Sequence, residues 1–80
     1  MDLKIYKNIK KIRELKNFTR DHIAGELGMS TSGYGKIERG EVDLTITKLN
    51  KIAEILDVPV LFIFNFNVNH IFEDNKKSNR

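Results

Sequence analysis

Apolar residues recur three and four positions apart through four successive stretches of the chain, and each stretch is bounded by residues that start or stop helices. Ile5, Ile9, Ile12 and Leu15 form the first such stripe, with lysines between them, and predict an amphipathic helix. Asn17 tolerates the left-handed conformation that ends it. Thr19 then reads as an N-cap, with Asp21 in the first turn, where the helix dipole favours an acid. Ile23, Ala24 and Leu27 give a short second stripe, closed by Gly28. Met29 alone separates that glycine from the next cap, Ser30. Tyr34 and Ile37 face inward from a third helix that stops at Gly40. Thr45 caps a fourth helix carrying Ile46, Leu49, Ile52, Ala53 and Leu56. Pro59 suits the start of a short fifth. The pattern predicts an all-α domain with very short connections.

From Phe62 the period changes. Phe62, Phe64, Phe66 and Val68 alternate with Ile63, Asn65, Asn67 and Asn69, which predicts a strand with one apolar side. Such a strand has no partner in its own chain. The competing expectation extends the fifth helix and packs Ile63 and Phe64 inward. The chain is accordingly divided into a domain at 1–65, a dimerisation segment at 66–72 and a disordered polar tail at 73–80.

Length narrows the functional classes. Eighty residues support one small core and no large substrate cleft. The absence of cysteine excludes a disulfide framework and a Cys-based zinc site. The two histidines, His22 and His70, are far apart; His22 with Asp21 or Glu26 reads as a solvated helix-surface cluster rather than a catalytic one, and His70 has no neighbours at useful spacing. No apolar run reaches the 18 or so residues of a membrane span, and no apolar stretch follows the N-terminal lysines as in a signal peptide. The expectation is a cytoplasmic, nucleoid-associated binding protein that is not an enzyme and needs no metal or cofactor. Charge adds a direction. Residues 1–20 hold seven Lys and Arg against two acids, whereas the whole chain carries only +3. A basic N-terminal stretch suits a polyanionic partner.

The second and third predicted helices, joined by a tight glycine-containing turn, form a helix-turn-helix, whose second helix enters the DNA major groove. With Tyr34 and Ile37 inward, Thr31, Ser32, Gly35, Lys36 and Arg39 lie on the opposite face. These side chains are small, hydroxylated or cationic. Hydroxyls pair with any base, a threonine methyl touches a thymine methyl, and lysine donates to guanine O6 and N7.

The run from Asn8 to Phe64 resembles the Cro/C1-type, lambda-repressor-like helix-turn-helix proteins, also called the XRE family. The resemblance rests on IKKIRELKNFT (9–19), IAGEL with Gly28, Met29–Ser30, KIERG (36–40), LTITKLNKIAEIL (44–56), Val58 and Ile63–Phe64. It implies a five-helix fold in which helices two and three read DNA. Carried over residue by residue, it implies base-reading by Thr31, Ser32 and Lys36, and phosphate contacts by Arg20 and Arg39. Arg20 stands where the family usually has glutamine. The resemblance also implies that Arg13 and Glu38 form a structural pair joining helix one to the end of helix three. Three features depart from the family: Gly33 and Gly35 weaken helix three, Glu41 and Asp43 occupy a loop that is often basic, and Leu61 and Phe62 stand where helix five is commonly polar.

The function expected is that of a sequence-specific double-stranded DNA-binding transcriptional regulator, repressor-like and homodimeric. Leu61, Phe62, Phe66 and Val68 are the expected dimer interface, with Ile71 and Phe72 beyond them. The alternative is an antitoxin-like or restriction-modification controller module whose main partner is another protein, such as a toxin.

Overall fold

The computed structural model describes residues 3–67. Five helices follow one another: α1 (Leu3–Leu15), α2 (Arg20–Leu27), α3 (Thr31–Glu38), α4 (Ile46–Leu56) and α5 (Val60–Asn65). Local chemistry sets most of the boundaries. The side chains of Thr19, Ser30 and Thr45 accept from the backbone N–H of His22, Gly33 and Lys48 at 3.0–3.1 Å, satisfying one of the free donors that every helix start leaves. α1 to α4 all end with a residue at positive φ: Asn17, Gly28, Gly40 and Asp57. At each stop the following N–H bonds back to a carbonyl five residues earlier, from Phe18 to Arg13, Met29 to Ala24, Glu41 to Lys36 and Val58 to Ala53. This closure turns the chain sharply and keeps the loops short.

α1 packs on α3 and α5, α2 on α3 and α4, and α4 on α5. Ile9, Ile23, Tyr34, Ile52, Leu56 and Ile63 are completely buried at their shared centre. Two polar side chains tie distant parts to α1. The buried Asn8 donates from Nδ2 to the Ile63 carbonyl at 2.7 Å, and the Tyr6 hydroxyl donates to the Val42 carbonyl at 3.2 Å. The first of these satisfies a carbonyl at the end of α5 that no helical partner can reach.

Several sequence expectations are corrected here. Residues 62–65, where the alternation predicts a strand, are helical as part of α5, and no strand occurs among the described residues. The helix wins because one turn buries Ile63 between α1 and α4, whereas a lone strand leaves its backbone groups unpaired. Phe64, expected inward with Ile63, is 40% exposed, because adjacent helical positions point about 100° apart. Phe66, expected on a dimer surface, is only 6% exposed and belongs to the core; its ring lies 5.5 Å from that of Phe62. The core thus includes Phe66, one residue past the 1–65 range expected for the domain. Leu15 and Ile46, expected inward, are 59% and 64% exposed; each is the terminal residue of its helix, Leu15 the last of α1 and Ile46 the first of α4. Val68, Ile71, Phe72, His70 and the 73–80 tail lie outside the described residues. No described helix is long and apolar enough to cross a membrane.

Candidate nucleic-acid interface

α3 is held by its inward residues. Tyr34 and Ile37 are buried, whereas Thr31, Ser32, Lys36 and Arg39 are exposed. Gly35, expected on the open face, is buried instead. Its cover is Arg39, whose Nη1 lies 3.0 Å from where a Cβ at Gly35 would stand. A Cβ at Gly33 would likewise come within 3.1 Å of the Ser30 Oγ that caps the helix. The two glycines thus give room to a cap and to a folded-back arginine, which offsets part of their cost to the helix.

Glu38 is the electrostatic centre beneath this face. Its side chain is fully buried, and Arg13 reaches it with two donors, Nε to Oε2 at 2.6 Å and Nη2 to Oε1 at 3.2 Å. The third guanidinium nitrogen of Arg13 donates to the Phe18 carbonyl at 2.7 Å, so the α1–α2 turn is fastened to the same pair. Arg20 adds a second cation, Nε to Glu38 Oε1 at 3.0 Å, from a side chain that remains 39% exposed. The buried Tyr34 hydroxyl faces the same carboxylate without well-formed hydrogen-bond geometry. Burial by itself would push the Glu38 carboxyl up. The hydrogen bonds from Arg13 and Arg20, with the nearby Tyr34 hydroxyl and the Arg13 charge, outweigh burial and hold it below the usual carboxylate range. Burial also raises the Tyr34 phenol, and the Glu38 hydrogen bond raises the Arg13 guanidinium.

This has a pH consequence. A carboxyl whose folded pKa lies below its ordinary value of 4.5 contributes stability above that pH, and the contribution is lost as the folded protein takes up the proton. The melting temperature is therefore expected to fall steeply once pH drops through about 4.5. Glu38→Gln is expected to be less stable at neutral pH and to lose less on acidification. A wild-type melting temperature that is flat between pH 5 and 3 would contradict the network.

Other polar ties were not legible in the sequence. Thr31 Oγ1 donates to Asp21 Oδ1 at 2.7 Å, joining the first turns of α3 and α2. Arg39 Nε donates to Glu41, whose carboxyl this hydrogen bond holds below the usual range. Lys7, Lys10, Lys11 and Arg39 line a groove between α1 and the end of α3, with Glu38 at its side. At the opposite end of α1, Ile12, Leu15, Lys16, Phe62 and Phe66 line an apolar hollow of about 140 Å³. Phe62, in this lining, is 45% exposed, and its neighbour in α5, Leu61, is 71% exposed. No group of three or more His, Cys, Asp or Glu among the described residues is arranged to hold a metal ion.

Two comparisons bear on this geometry. A family model described as helix-turn-helix matches residues 9–63, from α1 into α5. The SPbeta prophage-derived uncharacterized HTH-type transcriptional regulator YonR of Bacillus subtilis (strain 168) is 31% identical over 71 residues. That match covers 82% of this chain and 66% of the relative, so the chain spans just under two thirds of the relative's length.

Proposed function

We propose, since this chain belongs to the helix-turn-helix family of the Cro/C1 type, that it is a sequence-specific double-stranded DNA-binding transcriptional regulator of the repressor kind, acting as a homodimer with α3 in the major groove. The observation that carries this reading is the outer face of α3. Thr31, Ser32 and Lys36 stand exposed on it, and its only carboxylate, Glu38, is turned inward and neutralised by Arg13 and Arg20. A helix of that composition presents donors, acceptors and positive charge to base edges and repels no phosphate.

Thr31, Ser32 and Lys36 are assigned to bases. Arg20 and Arg39 are assigned to phosphates. Arg20 uses Nε on Glu38, which leaves its terminal nitrogens for a phosphate oxygen. Arg39 is held by Glu41, which a phosphate replaces as DNA arrives. The Lys7, Lys10 and Lys11 groove beside Arg39 extends the cationic track along α1. The same apolar surface of α5 that suits a second copy also suits a different protein, as in an antitoxin-like or controller module. The role is binding rather than catalysis, in the cytoplasm where DNA is reached.

Selection of bound duplexes from a random library tests the assignment. Lys36→Ala is expected to cost about 1–3 kcal/mol and to relax preference at one position of each half-site. Arg39→Ala is expected to weaken all sequences alike and to lower the salt slope by about one. Identical behaviour of the two variants across a panel of sites would show that the roles are misassigned.

A further inference from the structure

Two polar ties run from the first turn of α2 to opposite ends of α3. Arg20 reaches Glu38 at the C-terminal end, and the neighbouring Asp21 receives the Thr31 hydroxyl at the N-terminal end. The second tie has a consequence for what Thr31 shows to a base. A threonine hydroxyl owns one proton and two acceptor sites, and it ordinarily rotates to suit its partner. A carboxylate only accepts. At 2.7 Å, the Thr31 proton is therefore committed to Asp21 Oδ1, and the oxygen is left as an acceptor. Thr31 is the first residue of α3, so no preceding helical carbonyl competes for that proton. Its exposed position keeps the acceptor side open.

We infer that Asp21 is a specificity-determining positioning residue: by taking the Thr31 proton, it makes Thr31 read amino-bearing bases. The major-groove edges of adenine and cytosine offer amino donors at N6 and N4, whereas guanine O6 and N7 and thymine O4 are acceptors. An acceptor-only Thr31 pairs with the first two and is repelled by the others. Asp21 touches no base; it removes the rotational freedom that would let a lone hydroxyl accept any of the four. This inference rests on the reading of α3 as the base-reading helix.

The test compares sequence selection by the full chain, Thr31→Val, Asp21→Ala and the double variant. The position read by Thr31 is the one whose preference collapses in Thr31→Val. There the wild type is expected to favour adenine or cytosine over guanine and thymine by about tenfold. Asp21→Ala is expected to reduce that ratio to within about twofold by admitting guanine or thymine, while every other position keeps its preference. In the Thr31→Val background, Asp21→Ala is expected to leave that position unchanged, which a merely structural role for Asp21 would not produce. The α2 cap is independent of Asp21, since Thr19 accepts from His22 N–H, and a melting curve checks that the variant is folded. An Asp21→Ala protein that keeps the preference, or loses it evenly at every position, overturns the inference while the reading of α3 stands. A wild type that enriches no sequence overturns both.

Discussion

Arg13→Ala is expected to lose about 3–5 kcal/mol of stability, the largest effect of any single substitution on this surface. The cost comes from what the substitution leaves behind. Glu38 has no exposed side-chain surface, and Arg13 supplies two of the three hydrogen bonds it accepts from arginine. Arg20 is too open to solvent to replace them, because water screens a half-exposed pair. The carboxylate must then stay charged and poorly paired, or take up a proton and lose its bonds. The Phe18 carbonyl loses its donor in the same step. A domain of this size has about 4–12 kcal/mol in all, so much of the population unfolds at modest temperature. In melting experiments the shift is expected to exceed about 12 °C. A double-mutant cycle with Glu38→Gln is expected to return a coupling of at least about 2 kcal/mol. Loss of DNA binding in Arg13→Ala is then expected to follow the folded fraction and to be restored on cooling. A stable Arg13→Ala protein would show that α3 is positioned without this pair.

The second large effect belongs to the surface of α5. Leu61, Phe62 and Phe64 are 71%, 45% and 40% exposed, and Leu15, which lines the same hollow as Phe62, is 59% exposed. On so small a domain this is a substantial apolar area to leave in water. A two-fold pairing of α5 with its copy covers it, because an isologous interface brings the same patch to itself. A dimer that reads successive major-groove turns is expected to hold its two α3 helices roughly 34 Å apart. Leu61→Asp is the cleanest probe, since the side chain is already mostly in solvent and its folding is expected to be nearly unchanged. Sedimentation at micromolar concentration is expected to show a wild-type dimer and a Leu61→Asp monomer. Binding to a full two-fold site is expected to fall by about 100-fold or more, with half-site binding retained, because the second reader no longer benefits from being tethered to the first. A truncation meant to probe residues 68–80 must end after Asn67, because ending at Asn65 removes Phe66 from the core. A wild-type monomer, or a dimer indifferent to Leu61→Asp, would move the interface elsewhere.

The chain itself determined the helices of the helix-turn-helix. Thr19, Ser30 and Thr45 cap, Asn17, Gly28 and Gly40 stop, and the stripes between them bury Ile9, Ile23, Tyr34, Ile37 and Ile52. These features are legible because caps, left-handed stops and 3.6-residue periods act over a few neighbouring residues. The outward face of α3 follows from the same period. What lay beyond the sequence depends on distances across the fold. The sharing of Glu38 between Arg13 and Arg20, the Asp21–Thr31 bond and the Asn8–Ile63 bond join residues 10 to 55 positions apart. No local pattern records such partners. Gly35 looked open until Arg39 was seen folded across it, because a long side chain covers surface that its own position does not reveal. The alternation of Phe62, Phe64 and Phe66 suggests a strand, yet α5 is a helix whose Ile63 is buried, and the next core residue is Phe66, just past its end. In a segment this short and apolar, period two and a single helical turn place similar residues inward. The choice falls to whichever conformation has a partner, and here the groove between α1 and α4 accepts a helix and offers no strand edge.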